Sequence, residues 1–128
     1  MRIVIPLPPI TKKNSSRIVK NRRTGRTMVI PSKRYVDYEK SCENLNLSLT
    51  EPIDYPCNVQ MEYYMPTRRK VDLVNLQEAT LDILVRFGVL ADDNRNIVYT
   101  MDGSKVHYDK ANPRTEITIT KSEDFEEW

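Results

Sequence analysis

Five carboxylates, Asp72, Glu78, Asp82, Asp92 and Asp93, fall within residues 70–96, K-V-D-L-V-N-L-Q-E-A-T-L-D-I-L-V-R-F-G-V-L-A-D-D-N-R-N, around one short amphipathic segment. Acids clustered in this way suit magnesium-dependent phosphodiester chemistry. Magnesium is a hard cation that takes oxygen ligands and keeps part of its water shell, so one or two carboxylates per ion plus a substrate phosphate suffice. Three cations, Arg68, Arg69 and Lys70, come just before the first acid and read as phosphate-binding residues. A nuclease is the first hypothesis.

Other catalytic routes have less behind them. The only histidine, His107, sits in an alternating V-H-Y segment that reads as a strand, so a Ser or Cys nucleophile would depend on that single base. Cys42 and Cys57 lack a C-x-x-C spacing and read as two free thiols, not as a zinc site or a disulfide framework.

The net charge is only +2, yet residues 1–40 hold eleven Lys or Arg against Asp37 and Glu39, +9 in all, and the rest of the chain carries −7. A basic end of this kind gives salt-sensitive affinity for phosphate backbones through counterion release. Lys12, Lys13, Asn14 and Arg17 are assigned to backbone contacts, with Arg68, Arg69, Lys70 and Asn75 nearer the acids. The Arg22-Arg23 pair reads as a soluble turn or as part of the same surface.

The 128 residues suit one domain spanning 1–128. No apolar run approaches a membrane span of about 18 residues, and the prolines that interrupt M-R-I-V-I-P-L-P-P-I argue against a signal peptide, so the expected location is the cytoplasm.

Several elements must position these groups. Residues 2–6 read as a strand, followed by a proline-rich loop. Segments 17–20 and 26–30 read as a hairpin joined across N-R-R-T-G, with Gly25 supplying a positive φ. Ser32 is the expected N-cap of a helix bearing Tyr35, Tyr38, Cys42, Leu45 and Leu49 at helical spacing, the tyrosines facing the core. Residues 58–65 alternate Val59, Met61, Tyr63 and Met65 as a half-buried strand. A second helix is expected over 75–87, with Leu76, Ala79, Thr80, Ile83, Leu84 and Phe87 as its apolar stripe and Gly88 at its left-handed end. Segments 97–101 and 105–108 read as a hairpin around Asp102-Gly103, and 115–120 as a final strand. Residues 121–128 read as a frayed acidic tail unless Phe125 and Trp128 dock. The fold class is α+β: a small mixed β-sheet packed by two helices.

The acid-bearing segment resembles the RusA family of Holliday-junction resolvases, common in prophages. That family's central pattern runs D-x-D-N-x-x-K-A-x-x-D-A-L and then, after a glycine, D-D. Asp72, Asn75, Ala79, Asp82, Leu84, Gly88, Asp92 and Asp93 fall on it. P-P-I-T-K-K-N-S-S-R and I-P-S-K-R-Y-x-x-Y-E resemble the opening segments of phage-borne members, so the likeness runs to about Asn96.

The resemblance implies a homodimeric endonuclease that nicks two opposing strands of four-way junction DNA with magnesium, manganese substituting, and with no organic cofactor and no membrane. A two-fold dimer matches the approximate two-fold symmetry of a junction. Asp72, Asp92 and Asp93 inherit the metal-binding role, with Glu78 and Asp82 as further candidates; Asp72, Asp93 and Lys70 are the expected catalytic residues. Two positions depart from the pattern: Val74 replaces the second aspartate of D-x-D-N, and Glu78 replaces the lysine. One reading is compensation, in which Glu78, four residues from position 74, brings the missing carboxylate close while Lys70, Arg69 or Arg86 supplies the missing cation. The other is loss of the metal site, leaving a non-catalytic, structure-selective DNA-binding protein. A third reading, a protein-interaction module, rests on the acidic remainder alone. Taken without the resemblance, Asp92-Asp93-Asn94 reads as an ordinary turn and Asp82 as a solvated helix residue.

Overall fold

The computed structural model describes residues 1–12, 17–30 and 32–128. Its centre is β4 (Cys57–Met65), whose alternate side chains Cys57, Val59, Met61 and Tyr63 are buried, as a strand with one covered face requires. On one edge β4 pairs antiparallel with β7 (Arg114–Lys121), which in turn pairs antiparallel with β1 (Arg2–Ile5). On the other edge it pairs in parallel with both β5 (Val98–Thr100) and β6 (Lys105–Tyr108). The sheet is therefore mixed and five-stranded.

The apolar face of the sheet shares one buried cluster with two helices, α1 (Lys33–Glu43) through Tyr38 and Cys42, and α2 (Leu73–Arg86) through Leu76, Ile83 and Leu84. This is the expected α+β architecture. The Ser32 side chain caps α1 by accepting from the Tyr35 N–H at 3.3 Å, and Tyr35 and Tyr38 are buried. Both cysteines are free and buried. Burial pushes the Cys42 thiol up to about 11 and raises that of Cys57, which donates to the Ile97 carbonyl at 3.0 Å.

Helix α2 starts two residues before the apolar stripe suggests, because Asp72 caps it: the carboxylate accepts from the Val74 N–H at 3.1 Å. It ends in a Schellman turn. Gly88, at φ +76°, donates to Val85 O at 3.2 Å and Val89 donates to Leu84 O at 2.9 Å. A buried hydroxyl pair, Tyr63 with Thr80 at 2.7 Å, ties the helix to the centre of β4.

The basic hairpin forms as expected. β2 (Arg17–Lys20) pairs antiparallel with β3 (Thr27–Ile30) as a separate two-stranded sheet.

The second expected hairpin does not form. β5 and β6 do not pair with each other; they lie one after the other along the same edge of β4. Side chains of β4 make that interruption possible. Asn58 accepts from Asp102 N at 2.8 Å and Thr100 Oγ1 at 2.6 Å, and donates to Asp102 O at 3.2 Å, while Gln60 donates to Gly103 O at 3.3 Å. With its backbone groups answered from the side, Asp102-Gly103 becomes a step between two strands on one edge.

The C-terminal segment is also tied down. Arg95 donates to Glu126 O at 2.6 Å and its guanidinium lies 4.7 Å from the Phe125 ring and 3.7 Å from the Trp128 ring. Phe125 packs edge-on to Tyr99 with centroids 5.0 Å apart.

Candidate active site and nucleic-acid interface

Helix α2 organises two distinct surfaces, one at each end. Near its C-terminal half, an open cleft is lined by Lys12, Tyr35, Glu39, Asp82, Val85, Arg86 and Asp93. Asp82 accepts from Lys12 Nζ at 2.9 Å, and that ammonium also lies 5.5 Å from the Tyr35 ring. Arg86 pairs with Glu39 at 2.9 Å and reaches Glu43 at 3.9 Å. The Tyr35 hydroxyl is held well above its ordinary range, first by burial and then by the Asp82 and Glu39 carboxylates.

Asp93 reaches this cleft because the segment after α2 is pinned. Ile53 donates to Val89 O and accepts from Ala91 N, each at 2.9 Å, so the chain before β4 holds the turn in place. Asp92 is spent within the turn itself: its carboxylate accepts from Asp93 N at 2.7 Å and from Asn94 Nδ2 at 3.2 Å.

At the other end of α2, a groove is lined by Pro8, Pro9, Arg34, Arg69, Lys70 and Leu76, among others. Three cations, Arg34, Arg69 and Lys70, thus line one trough, Lys70 standing two residues before the Asp72 cap. Arg68 instead lies over the ring of Tyr108, 4.8 Å from its centroid.

Of the expected metal-binding set, the structure brings Asp82 and Asp93 to one cleft. Asp72, Glu78 and Asp92 do not line it. Ten residues separate Asp72 from Asp82, roughly 15 Å along a helix, too far to share one ion within a chain. Among the described residues no three His, Cys, Asp or Glu side chains converge as a metal site. The carboxylates are the right donors for a hard cation, but one chain does not assemble the five into a single centre.

Several other expected residues have defined places. Lys12 is engaged with Asp82, and Asn75 is buried in the first turn of α2 rather than turned to solvent. Arg86 is engaged with α1. Lys13 and Asn14 lie outside the described residues; Arg17 begins β2, and its side chain lies outside them too. The early start of α2 places Val74, which is 58 % exposed, one helical turn from the exposed Glu78, and Glu78 one turn from Asp82.

Tyr35, Glu39 and Arg34 were not among the expected site residues. They belong to the S-K-R-Y-x-x-Y-E segment. Glu39 stands four residues after Tyr35, and that helical spacing is the signal that could have placed the two on one face.

A mixed sheet carrying cations at one end of a helix and carboxylates at the other suits a protein that handles a phosphate backbone. Comparison with known proteins makes the class specific: residues 6–120 match the family model described as Endodeoxyribonuclease RusA. The chain is 32 % identical over 121 residues to the crossover junction endodeoxyribonuclease RusA of Escherichia coli strain K12, covering 93 % of this chain and 92 % of that protein. It is 31 % identical over the same length to the protein of that name from Shigella sonnei strain Ss046. It is also 38 % identical over 66 residues to the one from Enterobacteria phage 82, covering 52 % of each chain. The chain belongs to the RusA endodeoxyribonuclease family.

Proposed function

We propose that this protein is a magnesium-dependent crossover junction endodeoxyribonuclease, acting as a homodimer on four-way junction DNA in the cytoplasm, with manganese able to substitute. The observation that carries this reading is the arrangement of α2, which joins a groove lined by Arg34, Arg69 and Lys70 at its N-terminal end to a carboxylate cleft at its C-terminal half. Family membership over residues 6–120 supports the chemistry.

In this reading Arg34, Arg69 and Lys70 hold the phosphate backbone in the groove, and Lys70 also offsets charge at the reacting phosphate. Asp72 and Asp93 are the catalytic carboxylates. Asp92, Glu78 and Asp82 are the further metal-ligand candidates, Glu78 standing one turn from the position where the family pattern has a second aspartate. A bound divalent ion would supply a nucleophilic water and neutralise charge on the phosphate. Lys12 neutralises Asp82 in its absence. A homodimer carries two copies of these surfaces to two symmetry-related strands, as paired nicks require.

The exposed Val74, an apolar side chain in the first turn of α2, favours the second reading, a junction-binding protein without cleavage. One experiment separates them. A synthetic four-way junction and a linear duplex are incubated with the protein at moderate salt, with and without magnesium. Paired symmetric nicks in the junction that need the metal are the expected result. Tight, junction-selective binding without cutting in magnesium or manganese would replace it with the second reading.

A further inference from the structure

No described residue of the β2–β3 ribbon lines the cleft or the groove described above. Its two strands pair only with each other, and no described side chain of residues 17–30 belongs to the buried core. A lone two-stranded hairpin is marginal in water, so such an element normally survives by packing on something. Residues 17–30, R-I-V-K-N-R-R-T-G-R-T-M-V-I, hold five cations and no acid. Four of those, Lys20, Arg22, Arg23 and Arg26, are exposed and form no ion pair among the described residues. In the α2 cleft and on the main sheet, by contrast, several cations are engaged: Lys12 with Asp82, Arg86 with Glu39, Arg114 with Glu116.

The tip is nevertheless ordered by its own backbone. The Asn21 side chain accepts from Arg23 N at 2.9 Å and Thr24 N at 3.2 Å, Asn21 N donates to Arg26 O at 2.7 Å, and Gly25 N donates to Asn21 O at 2.8 Å. Gly25, at φ +72°, closes the turn. Such a turn leaves Arg22 and Arg23 exposed at the end of the ribbon.

We propose that this ribbon is a duplex-binding arm that lies in the major groove of one junction arm, with Arg22, Arg23 and Arg26 on the flanking phosphates. The assignment rests on the DNA-binding part of the proposed function. Strands about 4.8 Å apart make a ribbon narrow enough for a major groove of about 12 Å. The occupant is a polyanion because every charge on the ribbon is positive. The chain's own acidic tail is not that occupant, since it is docked on Arg95.

The test is the salt dependence of binding to a four-way junction, in calcium so that no cutting intervenes. Wild type is compared with Arg22→Gln/Arg23→Gln and with Lys105→Gln/Lys110→Gln, which removes the same charge from exposed positions at and just after β6, on the separate five-stranded sheet. Each lost phosphate contact flattens the plot of log affinity against log salt by about 0.9. The ribbon variant is expected to lose about 1.8 from that slope and the control variant close to nothing. Shortening the junction arms to a few base pairs should weaken wild type and leave the ribbon variant nearly unaffected.

Equal slopes for the two variants, or equal dependence on arm length in wild type and the ribbon variant, would overturn the arm. Failure of the function proposal looks different: wild type itself would then either bind no junction, which removes both, or bind without cutting in magnesium, which leaves the arm standing.

Discussion

The α2 cleft and the β2–β3 ribbon are both rich in charge, but they are built on opposite terms. In the cleft each cation faces a carboxylate at about 3 Å, and the elements that carry them are locked into the core by Tyr63, Thr80, Leu76 and Ile83. On the ribbon Lys20, Arg22, Arg23 and Arg26 form no ion pair among the described residues, and the turn over residues 21–26 orders the tip. The comparison teaches that position and charge are separable here. A reacting phosphate has to meet groups fixed by a packed helix, because misplacement by 1 Å can cost about 100-fold. An arm that holds a duplex needs only reach and net charge.

The sharpest test of that division is in the first turn of α2. Asp72 has a structural duty as N-cap and a proposed catalytic one. Asparagine caps as well as aspartate, so Asp72→Asn should leave thermal stability within about 1 kcal/mol while lowering junction cleavage by at least about 100-fold. Asp93→Asn should do the same to cleavage, with junction affinity retained in both. Cleavage at the wild-type rate in either variant would strike that residue from the catalytic set.

Next in size is the buried pair that seats α2 on the sheet. Thr80→Val leaves Tyr63 Oη buried with only the Met61 sulfur, 3.0 Å away, as a partner. Stranding a buried polar group costs about 1–3 kcal/mol, which urea denaturation would register. The salt slope of DNA binding should not change, because the ribbon does not depend on α2. A parallel loss in both measurements would mean that the two regions are coupled after all.

Much of this division can be read from the sequence. Periodicity located α2, β4 and the start of α1, and N-R-R-T-G located the ribbon turn, because each depends on residues close together in the chain; α1 itself ends at Glu43, capped by Asn44, so Leu45 and Leu49 lie beyond the helix expected to carry them. The start of α2 was harder: Leu73 packs against the core, but Val74 faces solvent and interrupts the apolar run, and the Asp72 cap is what brings both into the helix. The false hairpin at Asp102-Gly103 has a non-local cause. The dipeptide does turn the chain, but Asn58 and Gln60, some 43 residues earlier, decide which edge the two strands join. The cleft was half legible for the same reason. Asp82 and Asp93 stand out through the resemblance to the RusA pattern, whereas Glu39 joins them only once α1 has packed beside α2.

Two glycines put the same distinction on a smaller scale. Gly88 and Gly25 both have positive φ, +76° and +72°. A Cβ at Gly88 would make only an ordinary contact with Ser48, 3.6 Å away, and one at Gly25 would meet nothing within 4 Å. Each alanine therefore pays mainly the backbone strain of a left-handed residue, about 1–2 kcal/mol. Gly88→Ala should lower the global melting temperature, since it strains the turn that ends α2. Gly25→Ala should leave that temperature unchanged and speed amide exchange within residues 17–30 alone. A global shift from Gly25→Ala would show that the ribbon is part of the cooperative fold.

The smallest expected effect concerns the sheet face opposite the helices, where charge serves stability. Arg114 donates to Glu116 at 2.6 Å and Asp109 at 2.9 Å, and Arg2 adds a second bond to Glu116. Hydrogen bonds from Arg114 hold the Glu116 and Asp109 carboxyls below their ordinary values. A carboxyl whose folded pKa is depressed binds its proton more readily in the unfolded chain. Its stabilising contribution is thus present above the unfolded value, about 4, and is lost as pH falls through the lower folded value. Glu116→Gln keeps an acceptor for both arginines but cannot titrate. Its urea midpoint should fall below that of wild type at pH 7, and the gap should narrow steadily below about pH 4. A gap of constant size from pH 7 to pH 3 would assign the effect to packing instead, and the charge pairs on this face would then resemble those of the cleft in geometry but not in consequence.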